Sequence, residues 1–128
     1  MAYLKPPWFT RAIFNKVAMA TGIGGSETLT VTRRVSKQPQ QIPVVVPEVD
    51  GVKYLVSTRG ETEWVKNVRA IPDVMVGDQK YVATEIPVEQ RGPVIAAYRR
   101  KAGKVVERYW RQLPDDADHP VFALTAKG

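Results

Sequence analysis

Cysteine is absent from the 128 residues, and histidine occurs once, as His119. The first absence excludes disulfides, thiolate metal sites and cysteine nucleophiles, and the second excludes a multi-histidine zinc site. Long apolar runs are missing too. The most apolar stretch near the N-terminus is broken by Arg11, Asn15 and Lys16, which spoils both a membrane span and a signal-peptide core. We therefore expect a cytoplasmic protein. No internal repeat, low-complexity tract or Walker-type phosphate loop occurs. His119, beside Pro120 and the acidic run Pro114-Asp-Asp-Ala-Asp, reads as a solvated side chain.

What is present is cationic. Lysine and arginine number 19 against 13 acidic residues, a net charge of +6, which favours an anionic partner. Nucleic acid, an anionic membrane surface and a small molecule bearing phosphates and carboxylates all meet that description. The densest positive run, Arg99, Arg100, Lys101, Lys104, Arg108 and Arg111, lacks the interleaved exposed aromatics that read bases. It reads as a solvated helix face, and no nucleic-acid partner is expected. Hydrophobic residues at 44% and charged residues at 25% are ordinary for a globular chain, and the length suits one domain over 1–128.

Taken in order, the chain opens with a helix from Lys5 to about Ala20, on which Phe9, Ile13 and Val17 recur every four residues. Trp8 and Phe14 lie off that stripe, free to meet a ligand or make peripheral membrane contact. Thr28–Thr32 alternates as a strand with Leu29 and Val31 inward. A basic turn, Arg33–Pro39, leads to a second strand, Gln40–Val46. Pro43 and Pro47 imply that this strand is an edge, a bulge or a bent barrel strand, because proline donates no ladder hydrogen bond. Asp50-Gly51 is a hairpin signal before Val52–Val56, whose apolar face carries Val52, Tyr54 and Val56. A helix follows over Glu61–Arg69. Val74–Val76 and Gln79–Glu85 are joined through Gly77-Asp78. Another helix runs from Pro87 to about Arg100, Gly103 breaks it, and a second amphipathic piece carries Val105, Tyr109 and Trp110. Val121–Leu124 is the last strand. This order predicts a mostly β, α+β chain, a small antiparallel barrel decorated by helices; the alternative is a four-stranded sheet flanked by helices.

The stretch from Tyr54 to Ala70 has the order strand, polar turn, helix, and that order builds an anion site. Unpaired amides at the helix start, the hydroxyls of Ser57 and Thr58 and the Arg59 guanidinium together suit a phosphate or carboxylate. Trp64, Asn67 and Val68 share one helix face, so an aromatic ring and an amide stand side by side where a flat ligand could lie. The same residues also read as ordinary capping chemistry with Trp64 in the core.

Several segments together resemble the deazaflavin-dependent nitroreductases of actinobacteria. They are Arg34-Val-Ser-Lys-Gln-Pro39, Ile42-Pro43, Asp50-Gly51, Val56-Ser-Thr-Arg-Gly60, Trp64-Val-Lys-Asn67 and Ile71-Pro-Asp-Val74. The resemblance implies a split antiparallel β-barrel, FMN-binding-like, and coenzyme F-420 as cofactor, a deazaflavin whose tail bears a phosphate and glutamates. It further implies that Arg34, Ser36 and Lys37 hold the tail and that Pro43 and Val45 lie beside the ring. Ser57, Thr58, Arg59 and Gly60 would hold the phosphate, and Trp64 and Asn67 would line the same cleft. The family's usual glycine and second arginine are replaced here by Lys37 and Gln40. The implied reaction is hydride transfer to an enone, quinone or nitro compound, with Tyr98 and Tyr109 as catalytic candidates, Tyr3 as a further proton donor and Trp8 as a wall. FMN is the runner-up cofactor. A non-enzymatic basic barrel binding a lipid, fatty acid or other anionic ligand is the other reading, and either a monomer or a homodimer is compatible.

Overall fold

The computed structural model describes residues 26–127. The predicted N-terminal helix, with Tyr3, Trp8 and Phe14, lies outside the described residues. Seven strands form one sheet: β1 (Glu27–Thr32), β2 (Pro39–Val44), β3 (Glu48–Val49), β4 (Val52–Val56), β5 (Asp73–Val76), β6 (Gln79–Glu85) and β7 (Val121–Ala126). Among the described residues three α-helices accompany them: α1 (Glu63–Ala70), α2 (Gly92–Ala102) and α3 (Glu107–Gln112). Both predicted hairpins form. Asp50 and Gly51 take φ of 52° and 82°, the pair of positive values a two-residue turn needs, so Val49 pairs with Val52; Gly77, at 57°, brings Val76 opposite Gln79.

Closure of the sheet follows from its strand order. The order is β2-β1-β5-β6-β7-β4-β3, with every pairing antiparallel, so β2 and β3 stand at opposite edges. Only Val45, Val46 and Pro47 separate them in sequence. Laid flat, seven strands would put the edges about 29 Å apart. The chain from Val44 to Glu48 reaches at most about 14 Å. The sheet must therefore curl until its edges meet, which is the barrel the prolines foretold. Pro43 sits in β2, whose single ladder partner is β1, so its missing N–H leaves no second neighbour unpaired.

Side-chain alternation then makes two cores. Leu29, Val31, Val46, Leu55, Phe122 and Leu124 pack inside the curl with Val65 and Val68 of α1. Their chain neighbours Val45, Val56 and Val121 face the other way and pack with Val94, Ile95 and Tyr98 of α2 and Trp110 of α3. This corrects the expectation for β4. Leu55, 1% exposed, belongs to the inner core, while Tyr54 and Val56 face the outer one, because α2 covers a surface that a simple alternating reading leaves to solvent. Seven strands also exceed the six of the sequence reading and exclude a four-stranded sheet; the two-residue β3 is too short to give a periodic signal. The helix expected over Glu61–Arg69 begins two residues later, with Glu61 and Thr62 in the preceding turn, and β2 stops at Val44 because the chain there crosses to the other edge.

Candidate anion-binding turn at the start of α1

The turn from Ser57 to Thr62 is held from below. Ser57 is buried; its N–H donates to Pro120 O at 2.9 Å and its hydroxyl donates to Gly60 O at 2.7 Å, closing the turn on itself. Gly60 has φ of 79°, and a Cβ there would meet Asp118 O at 3.4 Å and the Leu113 side chain at 3.6 Å, so glycine serves both the backbone conformation and the close approach.

His119 is the floor of this turn, which overturns the reading of it as solvated. It is 0% exposed; Nδ1 lies 2.8 Å from Ser57 O and Nε2 lies 2.7 Å from Leu113 O. Its ring stacks on Trp110 with centroids 4.1 Å apart. The acidic sequence around it is satisfied separately: the Asp115–His119 segment forms its own short 3-10 turn and faces outward while the imidazole turns in. Arg91 pins the same loop, donating to the carbonyls of Asp116, Ala117 and His119 at 3.3 to 3.4 Å and to Ile86 O at 3.2 Å. No local sequence signal marks Arg91 or His119 for these positions.

Above that floor the helix start presents donors. Thr62 is the N-cap of α1, yet makes no side-chain capping bond, and its Oγ1 is buried without a hydrogen-bond partner. Arg59 is exposed and, among the described residues, is tied by no hydrogen bond; Thr58 is half-buried beside it. Two carboxylates flank the turn. Glu63 accepts from Arg34 Nη2 at 3.0 Å, with Lys66 Nζ at 3.7 Å, and Glu61 accepts both terminal nitrogens of Arg69. Hydrogen bonds to Arg34 and to Arg69, respectively, hold the two carboxyls below the usual carboxylate range.

Asn67 ties the β1–β2 turn to α1. It is buried; Oδ1 accepts from the Arg34 backbone N–H at 3.1 Å and from Arg34 Nη1 at 2.7 Å, and Nδ2 donates to Gln40 Oε1 at 2.9 Å. Gln40 is thus a neutral partner of the same helix. Lys37 takes the left-handed backbone at φ of 65° and donates from Nζ to Arg34 O at 2.7 Å. Ser36 Oγ accepts from the Gln38 N–H at 3.2 Å. Trp64 is half-buried, packed on the inner core 6.0 Å from Phe122.

The structure therefore brings Arg34, Ser36, Lys37, Trp64 and Asn67 onto α1 and the β1–β2 turn, with Ser57, Thr58, Arg59 and Gly60 at the N-terminal end of the same helix. Pro43 is half-buried on β2. Val45, Tyr98 and Tyr109 lie with the outer core instead. They connect to the turn indirectly: Tyr98 is 5.9 Å from Trp110, Trp110 stacks on His119, and His119 reaches Ser57 O. Burial, and secondarily Tyr109, pushes the Tyr98 phenol up to about 12. Tyr109 is half-buried, accepts from Arg108 Nη2 at 2.9 Å and carries that guanidinium 4.9 Å over its ring.

Comparison with known proteins agrees with this architecture. A solved F420-H2 dependent reductase is 23% identical, with a TM-score of 0.60, covering 80% of this chain and 95% of its own. A domain-swapped dimer is 22% identical, with a TM-score of 0.61 and coverage of 94% and 100%. The heme storage protein HutZ from Vibrio cholerae is 10% identical, with a TM-score of 0.62 and 89% of each chain covered. At such identities these likenesses establish the split-barrel fold, which hosts more than one chemistry. No curated protein matches the chain. The model of one family, described as F420H(2)-dependent quinone reductase, matches residues 10–126, which is nearly the whole sequence. The chain belongs to the F420H(2)-dependent quinone reductase family and is a deazaflavin-dependent oxidoreductase.

Proposed function

We propose that the protein binds coenzyme F-420 with its phosphate at the Arg59–Thr62 turn and reduces an electron-poor acceptor, a quinone first and an enone or nitro compound second. The observation that carries this reading is the donor set at the start of α1. A buried hydroxyl without a partner, a helix start whose cap is unmade and an exposed guanidinium lie within four residues there, and each is a donor suited to an anionic oxygen. The neighbouring carboxylates are already neutralised by Arg34 and Arg69, so they oppose an incoming anion little.

When bound, the reduced cofactor supplies the hydride; the protein has to bind, orient and exclude water. Arg59, Thr58 and Thr62 would hold the phosphate, with Ser57 and Gly60 shaping the turn from within, since the Ser57 hydroxyl is already spent on Gly60. Ser36, Lys37 and the outer edge of Arg34 would face the glutamate tail. Trp64 would offer the exposed part of its ring to the cleft, and Pro43 would border it from β2. Val45 supports the wall from the outer core. For the proton that must accompany the hydride, Tyr109 and solvent are the candidates; Tyr98 is buried in the outer core and stays neutral over the physiological range. The likeness to a domain-swapped dimer supports a homodimer.

FMN also carries a phosphate and would use the same turn, so a paired titration separates the two cofactors. Following fluorescence as oxidised F-420 or FMN is added, at low and raised salt, we expect micromolar binding of F-420 that weakens with salt and weaker binding of FMN. Tight binding of FMN alone would replace the cofactor, and binding of neither would remove the reductase reading of this site.

A further inference from the structure

Glu61 sits inside the turn proposed to receive a phosphate, where a free carboxylate would oppose the ligand. Arg69, from the last turn of α1, folds back along the helix to meet it. Its terminal nitrogens both bond the Glu61 carboxylate, one of them at 3.0 Å, while Nε and Nη2 each hold Glu85 at 2.8 Å. Glu85 in turn accepts from Arg91 at 3.2 Å, and Arg91 is fixed to the carbonyls of the His119 loop. The charges alternate along this chain, from the anion turn through the end of β6 to the start of α2. Arg69 and Glu61 side chains are 38% and 55% exposed, and a pair that open to water adds little to global stability. Its effect must be sought locally.

Building on the cofactor reading above, we infer that Arg69 is a positioning residue of the anion turn: it neutralises Glu61 and fixes its carboxylate against α1, so that the turn accepts a phosphate-bearing ligand. The depressed Glu61 carboxyl, whose first cause is the hydrogen bond to Arg69, agrees with this. Without Arg69 the carboxylate stays ionised at neutral pH, is released into the turn and repels the phosphate.

The test compares Arg69→Gln, Glu61→Gln and the double variant with the parent protein. Two probes are used: oxidised F-420, and its deazaflavin chromophore with the ribityl chain but no phosphate. For Arg69→Gln we expect F-420 binding to weaken about tenfold at low salt, an effect that shrinks to about twofold near 0.5 M salt because repulsion through solvent is screened. Binding of the phosphate-free probe should be unchanged. The double variant should return to within about twofold of the parent for F-420, and Glu61→Gln alone, which keeps Arg69, should bind F-420 as well as the parent or better. Equal weakening for both probes, no rescue in the double variant, or weaker F-420 binding by Glu61→Gln would each make Arg69 a structural brace and overturn the inference. Failure of the parent protein itself to bind F-420 would overturn the cofactor reading together with the inference, which the variant pattern alone does not do.

Discussion

Asn67 gives the sharpest test of how the β1–β2 turn is fastened to α1. Its carboxamide is 3% exposed and makes three hydrogen bonds, two accepted from Arg34 and one donated to Gln40. Replacement by alanine leaves the Arg34 backbone N–H and the Gln40 amide without partners. At about 0.5 to 1.5 kcal/mol for each net hydrogen bond, with the Arg34 guanidinium discounted because it is one-third exposed and keeps Glu63, Asn67→Ala should cost about 1 to 3 kcal/mol. With a denaturation slope of about 2 kcal/mol per molar urea, the midpoint falls by about 0.5 to 1.5 M. Asn67→Asp is the discriminating partner. Aspartate keeps both acceptor bonds from Arg34, and Gln40 can turn its amide to donate instead of accept, so the loss should be under about 1 kcal/mol. Urea unfolding followed by tryptophan fluorescence and by circular dichroism measures both. An alanine variant within 0.5 kcal/mol of the parent, or an aspartate variant as unstable as the alanine one, would refute the reasoning.

Four further outcomes are expected. Arg59→Ala should weaken F-420 binding by about 1.5 to 3 kcal/mol while leaving the urea midpoint unchanged, since the side chain is exposed; unchanged affinity would take Arg59 out of the site. Trp64→Ala should lower deazaflavin affinity and also cost about 2 kcal/mol of stability, because the ring is partly packed on the inner core near Phe122; a stability loss with normal binding would return Trp64 to the core alone. His119→Phe preserves a ring against Trp110 but removes the ring N–H available to the carbonyls of Ser57 and Leu113, so unfolding should come about 1 to 2 kcal/mol sooner, and a variant as stable as the parent would deny that bond its weight. The Tyr98 phenol stays protonated in the fold up to about 12, whereas the unfolded chain deprotonates near 10. The unfolded state therefore binds fewer protons in that window, and stability falls as pH rises from 10 to 12 by roughly 2 kcal/mol. Tyr98→Phe should flatten this alkaline limb in thermal melts, and an unchanged limb would place its cause elsewhere.

Local chemistry made much of the barrel legible. Asp50-Gly51 and Gly77-Asp78 announce hairpins because positive φ is intrinsic to those residue types, and Leu29 and Val31 alternate inward because β1 has one face to bury. Pro43 and Pro47 marked the strand as an edge, a bulge or a bent barrel strand, and β2 is an edge from which the chain passes to the other edge. What stayed hidden depends on contacts made far along the chain. Nothing near β4 in sequence says that α2 will cover its outer face, so Leu55 and Val56 could not be divided between two cores. His119 sits among aspartates and looks solvated, yet Arg91, 28 residues upstream, holds the loop by its carbonyls and turns the ring under Ser57. In the site, the spacing of Trp64 and Asn67 flagged a mixed face, but not that the amide would bond Arg34 and Gln40. Likewise Ser57 reads as a phosphate donor until Gly60 is seen to take its hydroxyl.

These long-range contacts give the anion turn two anchors. From below, His119 carries the turn on the Trp110 stack, and Trp110 in turn lies 5.1 Å beneath the Arg99 guanidinium and against Tyr98. From the side, Arg69 holds Glu61 and joins it to Glu85 and Arg91. Both anchors end on the Asp116–His119 loop, because Arg91 grips its carbonyls and His119 belongs to it. That loop is therefore the common support of the proposed phosphate site. A turn braced this way meets an anion with its flanking carboxylates already paired. The affinity available to the tail is then spent on orientation of the ring, which is what a hydride-transfer site without a nucleophile or metal requires of its protein.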